Sequence, residues 1–170
     1  MSKHSYDQMS IHKKAFDCPF CDASVNSSVF FTQGDFFAIY NIAPALPGHT
    51  LVLPRSHKTS ILMLSDKELC DFFIMAKKTL RILLKAFETD AFDWSIQEKP
   101  EAGQTIEHLH LHIVPRLKND LPSPGHWYPL VHQNNGEIID SESRLQLSPE
   151  ALQLIVDKLR NIANSPEFMT

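Results

Sequence analysis

A chain of 170 residues, 43% hydrophobic and 21% charged, is long enough to bury one good core and short for two. Its formal charge of −4 excludes a general nucleic-acid or membrane-surface binder, which needs clustered Lys and Arg, so any phosphate chemistry must rest on local groups. No apolar run approaches a membrane span, Met1–Asp17 lacks a signal-peptide core, and three cysteines do not suggest a disulfide framework, which together predict a cytoplasmic protein.

After the polar N-terminal tail, Cys18-Pro19-Phe20-Cys21 has the spacing of a metal or redox pair. Val29-Phe30-Phe31-Thr32 and Phe36-Phe37-Ala38-Ile39-Tyr40 are aromatic-rich runs flanking Gln33-Gly34-Asp35, which predicts a hairpin. Ala43-Pro44-Ala45-Leu46-Pro47-Gly48 is a rigid turn leading into a third strand, His49–Pro54, so the sheet should grow as a meander. Ser65-Asp66-Lys67-Glu68 is a capping box. Leu69, Phe72, Phe73, Ala76, Leu80, Leu83, Leu84 and Phe87 follow at helical spacing, and Cys70 and Met75 read as packing residues beside that stripe. A fourth strand near Asp93–Glu98 leads through Pro100-Glu101-Ala102-Gly103 to a histidine-rich run. Lys118–Ser143, rich in Pro, Asn, Gly and Ser, reads as a long loop near the active site. A last helix starts at Ser148-Pro149 and turns Leu152, Ile155, Val156 and Leu159 inward. The expected fold is α+β: an antiparallel meander of about five strands with a long helix on one face and a C-terminal helix. One domain spans 1–170, with an arm over 1–27, a core over 28–116, a loop over 117–147 and a helix over 148–165.

The run His108-Leu109-His110-Leu111-His112-Ile113-Val114 alternates imidazole and apolar side chains. Strand side chains alternate between faces, so the histidines would share one face while Leu109, Leu111 and Ile113 pack behind. Residues two apart lie roughly 6.6 Å apart along a strand and residues four apart about 13 Å, which disfavours one ion held by all three at ~2 Å. A two-histidine site remains compatible with that spacing. The alternative is a division of labour among nucleophile, proton donor or acceptor, and structural histidine, because a neutral imidazole can attack phosphorus. Gln104, after Ala102-Gly103, can donate an amide hydrogen to a phosphate, and His49 can reach the same face if its strand neighbours the histidine strand. His4, His12, His126 and His132 receive no role.

Gly103-Gln104-Thr105-Ile106-Glu107-His108-Leu109-His110-Leu111-His112-Ile113-Val114-Pro115-Arg116 resembles the signature of the histidine triad (HIT) nucleotide hydrolases and transferases. Pro47-Gly48-His49-Thr50-Leu51-Val52-Leu53-Pro54 resembles that family's second motif, and Pro100–Thr105 is similar to its Fhit branch, which cleaves diadenosine polyphosphates. The resemblance runs from Val29 to Pro115 and implies a HIT-like fold, a homodimer with a sheet continuous across the interface, and a nucleotide on the histidine face. It implies His110 as nucleophile at the α-phosphorus, His112 on the phosphate and leaving group, His49 supporting the triad, and Gln104 at the bridging oxygen. It places Asn41 at the ribose hydroxyls and Leu51 and Gln97 along the substrate site. Lys99 stands where a glycine is usual. Bacterial relatives of the Hint type complete a zinc site at positions matching Cys18, Cys21, His57 and His108, which implies a structural zinc and no organic cofactor. Rival activities are a nucleoside phosphoramidase, a dinucleoside polyphosphate phosphorylase, a nucleotide-binding sensor with little turnover, or a catalytic metal site built on the cysteines and His108.

Overall fold

A computed structural model describes residues 18–123 and 144–168. The four histidines without a role and most of the predicted long loop lie outside the described residues. Five strands, β1 (Val29–Gln33), β2 (Phe36–Tyr40), β3 (Thr50–Pro54), β4 (Ala91–Ile96) and β5 (Leu111–Arg116), form one antiparallel sheet. Two helices, α1 (Asp66–Phe87) and α2 (Pro149–Ala163), cover one of its faces.

The hairpin between β1 and β2 closes through Gly34, whose φ of 56° a glycine takes at no steric cost. β2 and β3 pair next, so the meander holds through three strands. The sheet order is β1-β2-β3-β5-β4: α1 carries the chain to the far edge, and β5 returns between β3 and β4. That insertion places Leu51 opposite His112 and makes the second motif the immediate neighbour of the triad.

Ser65 caps α1 with both halves of the capping box formed. Phe72, Met75, Ala76, Leu80 and Leu83 of α1 pack with Ala38, Val52, Leu111 and Ile113 of the sheet and Leu152, Val156 and Leu159 of α2. Cys70 is exposed, against its expected packing role, and Phe73 is 38% exposed and stacks on Trp94 at 6.3 Å. Phe73 thus meets the edge strand β4 rather than the buried core. The second face of the sheet carries Phe37, Ile39, Leu51 and Leu53, and the arm residues Phe20 and Val25 pack onto it. The histidines stand on this arm-covered face.

β5 begins later than the alternation predicts. The segment His108–His110 precedes it because its backbone bonds outside the ladder: the Leu109 N–H donates to Lys58 C=O at 2.6 Å, and the His108 C=O accepts from side chains. The alternation nevertheless persists through this segment, with Leu109, Leu111 and Ile113 at most 1% exposed in the core.

Candidate active site

Gly48 positions the first imidazole. Its φ is 89°, and a Cβ there would stand 2.7 Å from Pro115 Cγ and 3.1 Å from Phe87 Cε2. Only glycine fits this turn. The Gly48 N–H donates to Tyr40 Oη at 3.0 Å, and the next residue, His49, emerges toward β5.

A directional chain of hydrogen bonds then assigns the tautomers. The Ala43 N–H donates to Asn41 Oδ1 at 2.9 Å, which fixes the orientation of that carboxamide and turns Nδ2 toward His49 Nδ1 at 3.5 Å. The Ala45 N–H also donates to His49 Nδ1, at 3.2 Å. His49 therefore carries its proton on Nε2 and donates it to His112 Nδ1 at 2.9 Å. His112 must in turn carry its proton on Nε2, away from His49. His110 Nδ1–H donates to the His108 C=O at 2.7 Å, leaving Nε2 with an open lone pair. The His110 and His112 rings are 4.8 Å apart. One imidazole thus offers a lone pair and its neighbour a hydrogen.

Burial keeps these rings neutral. It holds His49 down to about 3, with the Arg144 guanidinium and His110 adding to the effect. Burial also lowers His110, opposed by its bond to the His108 carbonyl, and lowers His112 well below the usual imidazole range, with His110, His49 and Arg144 contributing. A neutral His110 can act as a nucleophile at neutral pH; an imidazolium could not.

A cavity of about 570 Å³ opens onto His110 and His112. Its apolar walls are Phe20, Val25, Ile39, Ile42, Leu51 and Ile106, and its polar lining includes Ser24, Ser27, Asn41, Thr105, Arg144 and Gln146. Of the predicted substrate residues, His112, Asn41 and Leu51 line it. Gln104 and Gln97 do not, although both are buried. The Gln104 carboxamide instead ties the loop before the triad together, accepting from the Lys99 N–H at 2.7 Å and donating to the His108 C=O at 3.4 Å. It thereby braces the carbonyl that orients His110. Lys99 itself has φ 75° and ψ 156°, a conformation glycine tolerates and other residues resist. Its ammonium lies 4.0 Å from Glu107 Oε1.

Cys18, Cys21, His57 and His108 form a second cluster. Their ligand atoms all lie within 4.8 Å of one another. His108 Nε2–H donates to the Pro54 C=O at 2.9 Å, so its Nδ1 lone pair faces the two sulfurs, each 3.6 Å away, and Cys21 Sγ is 3.4 Å from His57 Nδ1. A sulfur at about 2.3 Å and a nitrogen at about 2.0 Å from one tetrahedral ion stand ~3.6 Å apart. The donor set and its spacing therefore fit a single tetrahedral metal ion. Burial and the Cys18 thiol push Cys21 up to about 11, as expected where two sulfurs share a site that a cation could neutralise.

Two features escaped the sequence reading. Phe20 sits inside the cysteine knuckle and packs edge-on against His110 at 5.5 Å and His108 at 5.9 Å, so the metal cluster and the cavity share a wall. An aromatic residue between two chelating cysteines was the available signal. Arg144 and Gln146 reach the cavity from just before α2, where no local pattern marks them; only the expected proximity of the long loop pointed to that region.

Comparison with known proteins agrees with this geometry. The HIT domain model matches residues 23–119. Asymmetrical bis(5'-nucleosyl)-tetraphosphatase of Schizosaccharomyces pombe is 35% identical over 114 residues, which are 67% of this chain and 63% of that protein. Bis(5'-adenosyl)-triphosphatase of Dictyostelium discoideum is 38% identical over 94 residues, 55% of this chain and 63% of that protein. The chain thus spans less than two thirds of these curated relatives. Among solved structures, Plasmodium falciparum diadenosine triphosphate hydrolase in complex with cyclomarin A superposes with a TM-score of 0.66 at 26% identity, covering 84% of this chain and 79% of its own. With its domain model matched over more than half the sequence and its triad set beside the second motif, this chain belongs to the HIT family.

Proposed function

We propose that this chain hydrolyses dinucleoside polyphosphates at the α-phosphorus through a covalent nucleotidyl intermediate on His110. The observation that carries the proposal is the tautomer chain from Asn41 through His49 to His112, beside a His110 whose Nε2 lone pair is open. The diadenosine triphosphatase and dinucleoside tetraphosphatase names of the curated relatives support the substrate class.

In the first step His110 Nε2 bonds to the α-phosphorus and the bond to the bridging oxygen breaks, releasing the second nucleotide. The nascent positive charge on the His110 ring is stabilised by its Nδ1–H bond to the His108 carbonyl. His112 Nε2–H donates a hydrogen bond to the departing oxygen, whose electron pair leaves with the nucleotide. In the second step water attacks the same phosphorus and loses a proton to solvent, the P–N bond breaks, and His110 regains its lone pair as a nucleoside monophosphate departs. The apolar wall of Phe20, Val25, Ile39 and Leu51 suits a nucleoside body, and Gln104 braces the His108 carbonyl that orients His110.

Incubation with diadenosine triphosphate should yield AMP and ADP, and His110→Ala should lose turnover while retaining AMP binding. An active His110→Ala variant would remove the nucleophile assignment, and wild-type protein that binds AMP without turning over polyphosphate, phosphoramidate or phosphate-exchange substrates would favour the sensor reading.

The metal reading belongs here as well. Zinc held by Cys18, Cys21, His57 and His108 would be structural, tying the arm and Phe20 to the sheet and supplying no Lewis acid to the phosphate. The homodimer reading rests on the edge strand β4, where Phe92 and Trp94 are 44% and 36% exposed beside Phe73 and Ile74. A second copy pairing along that edge would extend the sheet and cover these side chains.

A further inference from the structure

The cavity holds one charged side chain among its described lining residues, Arg144. His110 and His112, each with Nδ1 engaged in the hydrogen-bond chain, can orient a polyphosphate but bring no fixed charge to it. Several phosphate charges against walls such as Phe20, Ile39 and Leu51 are costly unless a cation meets them. A guanidinium offers a planar fork matched to phosphate oxygens.

Its placement is specific. The backbone that carries Arg144 is anchored where the Leu147 N–H donates to the Ile42 C=O at 2.8 Å, one residue from Asn41, and Ser148 caps α2 immediately afterwards. Asn41 Nδ2 meets His49 Nδ1 and His49 Nε2 bonds His112 Nδ1, so this anchor lies at the His49–His112 end of the cavity that Arg144 lines. Arg144 therefore stands on the His112 side of the phosphorus, where the leaving group departs. It lies beyond residue 119, where the match to the HIT domain ends.

We propose that Arg144 is a phosphate clamp on the leaving-group side of the cavity, selecting substrates whose departing group is itself an anionic phosphate. This rests on the hydrolase reading above. The clamp holds the phosphate next to the α-phosphorus and stabilises the charge that grows on it as the P–O bond breaks.

The test compares wild type, Arg144→Gln and Arg144→Lys on two ligands sharing the same adenylyl part. Diadenosine triphosphate carries an anionic leaving group, and adenosine 5'-phosphoramidate a neutral amine, read as an inhibition constant against the triphosphate so that its own turnover is not needed. Arg144→Gln should lower kcat/KM on the triphosphate by about 10- to 100-fold, the scale of one lost charge-assisted phosphate contact, and change the phosphoramidate constant by less than about threefold. Arg144→Lys should recover part of the loss, and the triphosphate KM should become less sensitive to salt in Arg144→Gln. An unchanged phosphoramidate constant also shows that the variant is folded. Equal losses on both ligands would place Arg144 on the shared α-phosphate and overturn the leaving-group assignment, and no loss on either would overturn the clamp. Wild-type protein inactive on the triphosphate would overturn the hydrolase reading and the clamp with it, a failure visible before any variant is made.

Discussion

Replacing Gly48 by alanine should damage stability and the site together. An alanine at φ 89° costs about 1–2 kcal/mol in backbone conformation alone. Its methyl would stand 2.7 and 2.8 Å from Pro115 Cγ and Cδ, and 3.1 Å from Phe87 Cε2, well inside the ~3.5–4.0 Å of ordinary carbon contact. Pro115 is fixed within β5 and Phe87 closes α1, so neither ring can swing aside cheaply. Overpacking of this kind costs about 1–3 kcal/mol, giving a total of about 2–5 kcal/mol. Gly34 is the internal control: its φ is 56° with nothing within 4 Å of a built Cβ, so Gly34→Ala should cost only the conformational part. Urea unfolding of both variants, followed by tryptophan fluorescence, separates strain from clash, with Gly48→Ala the more destabilised by about 1–3 kcal/mol. The surviving folded fraction should also show a lower kcat, since any relaxation at position 48 displaces His49 from its 2.9 Å bond to His112. Equal stability of the two variants, or a Gly48→Ala loss below about 0.5 kcal/mol, would refute the close approach to Pro115.

Lys99→Gly should be stabilising by about 1 kcal/mol, because relief of a strained backbone worth about 1–3 kcal/mol outweighs the entropy of an added glycine and the loss of a weak surface ion pair. Lys99→Ala keeps the strain and should show no gain in the same thermal melts; equal effects of the two variants would remove the conformational explanation. Stability should fall as pH drops from about 6.5 toward 5, above the carboxylate range. The unfolded chain takes up protons on its histidines in that window, while folded His49 stays neutral down to about 3, so each such imidazole costs about 1.4 kcal/mol per pH unit. Denaturant midpoints that stay flat between pH 7 and 5 would contradict the buried neutral state. Purified protein should carry one equivalent of zinc, chelation should lower Tm by several degrees, and Cys21→Ser should lose both the metal and the response to chelator. Bound zinc with no change in Tm on its removal would show that it does not tie the arm to the sheet.

The elements that local chemistry specifies were legible in the chain. The capping box at Ser65, the Gly34 hairpin, the Ser148 cap and the leucine–histidine alternation each depend on neighbours within a few residues, and each stands where the pattern places it. The cysteine pair and the histidines were visible as residue types able to hold a metal or attack phosphorus. What the chain could not display is which atoms face one another. The ladder of β5 starts only after His110 because the Leu109 N–H goes to the Lys58 carbonyl and the His108 carbonyl to side chains, the first a choice made across fifty residues of sequence. The tautomers follow from β5 inserting beside β3, which alone brings His49 to His112. Gln104 turns to the loop backbone instead of the cavity, and Arg144 reaches the cavity only because Leu147 is tied to Ile42. Hydrogen-bond direction and net charge at a phosphate site are properties of long-range juxtaposition, so sequence determined the reagents of this site, and tertiary structure decided their orientation and where Arg144 stands.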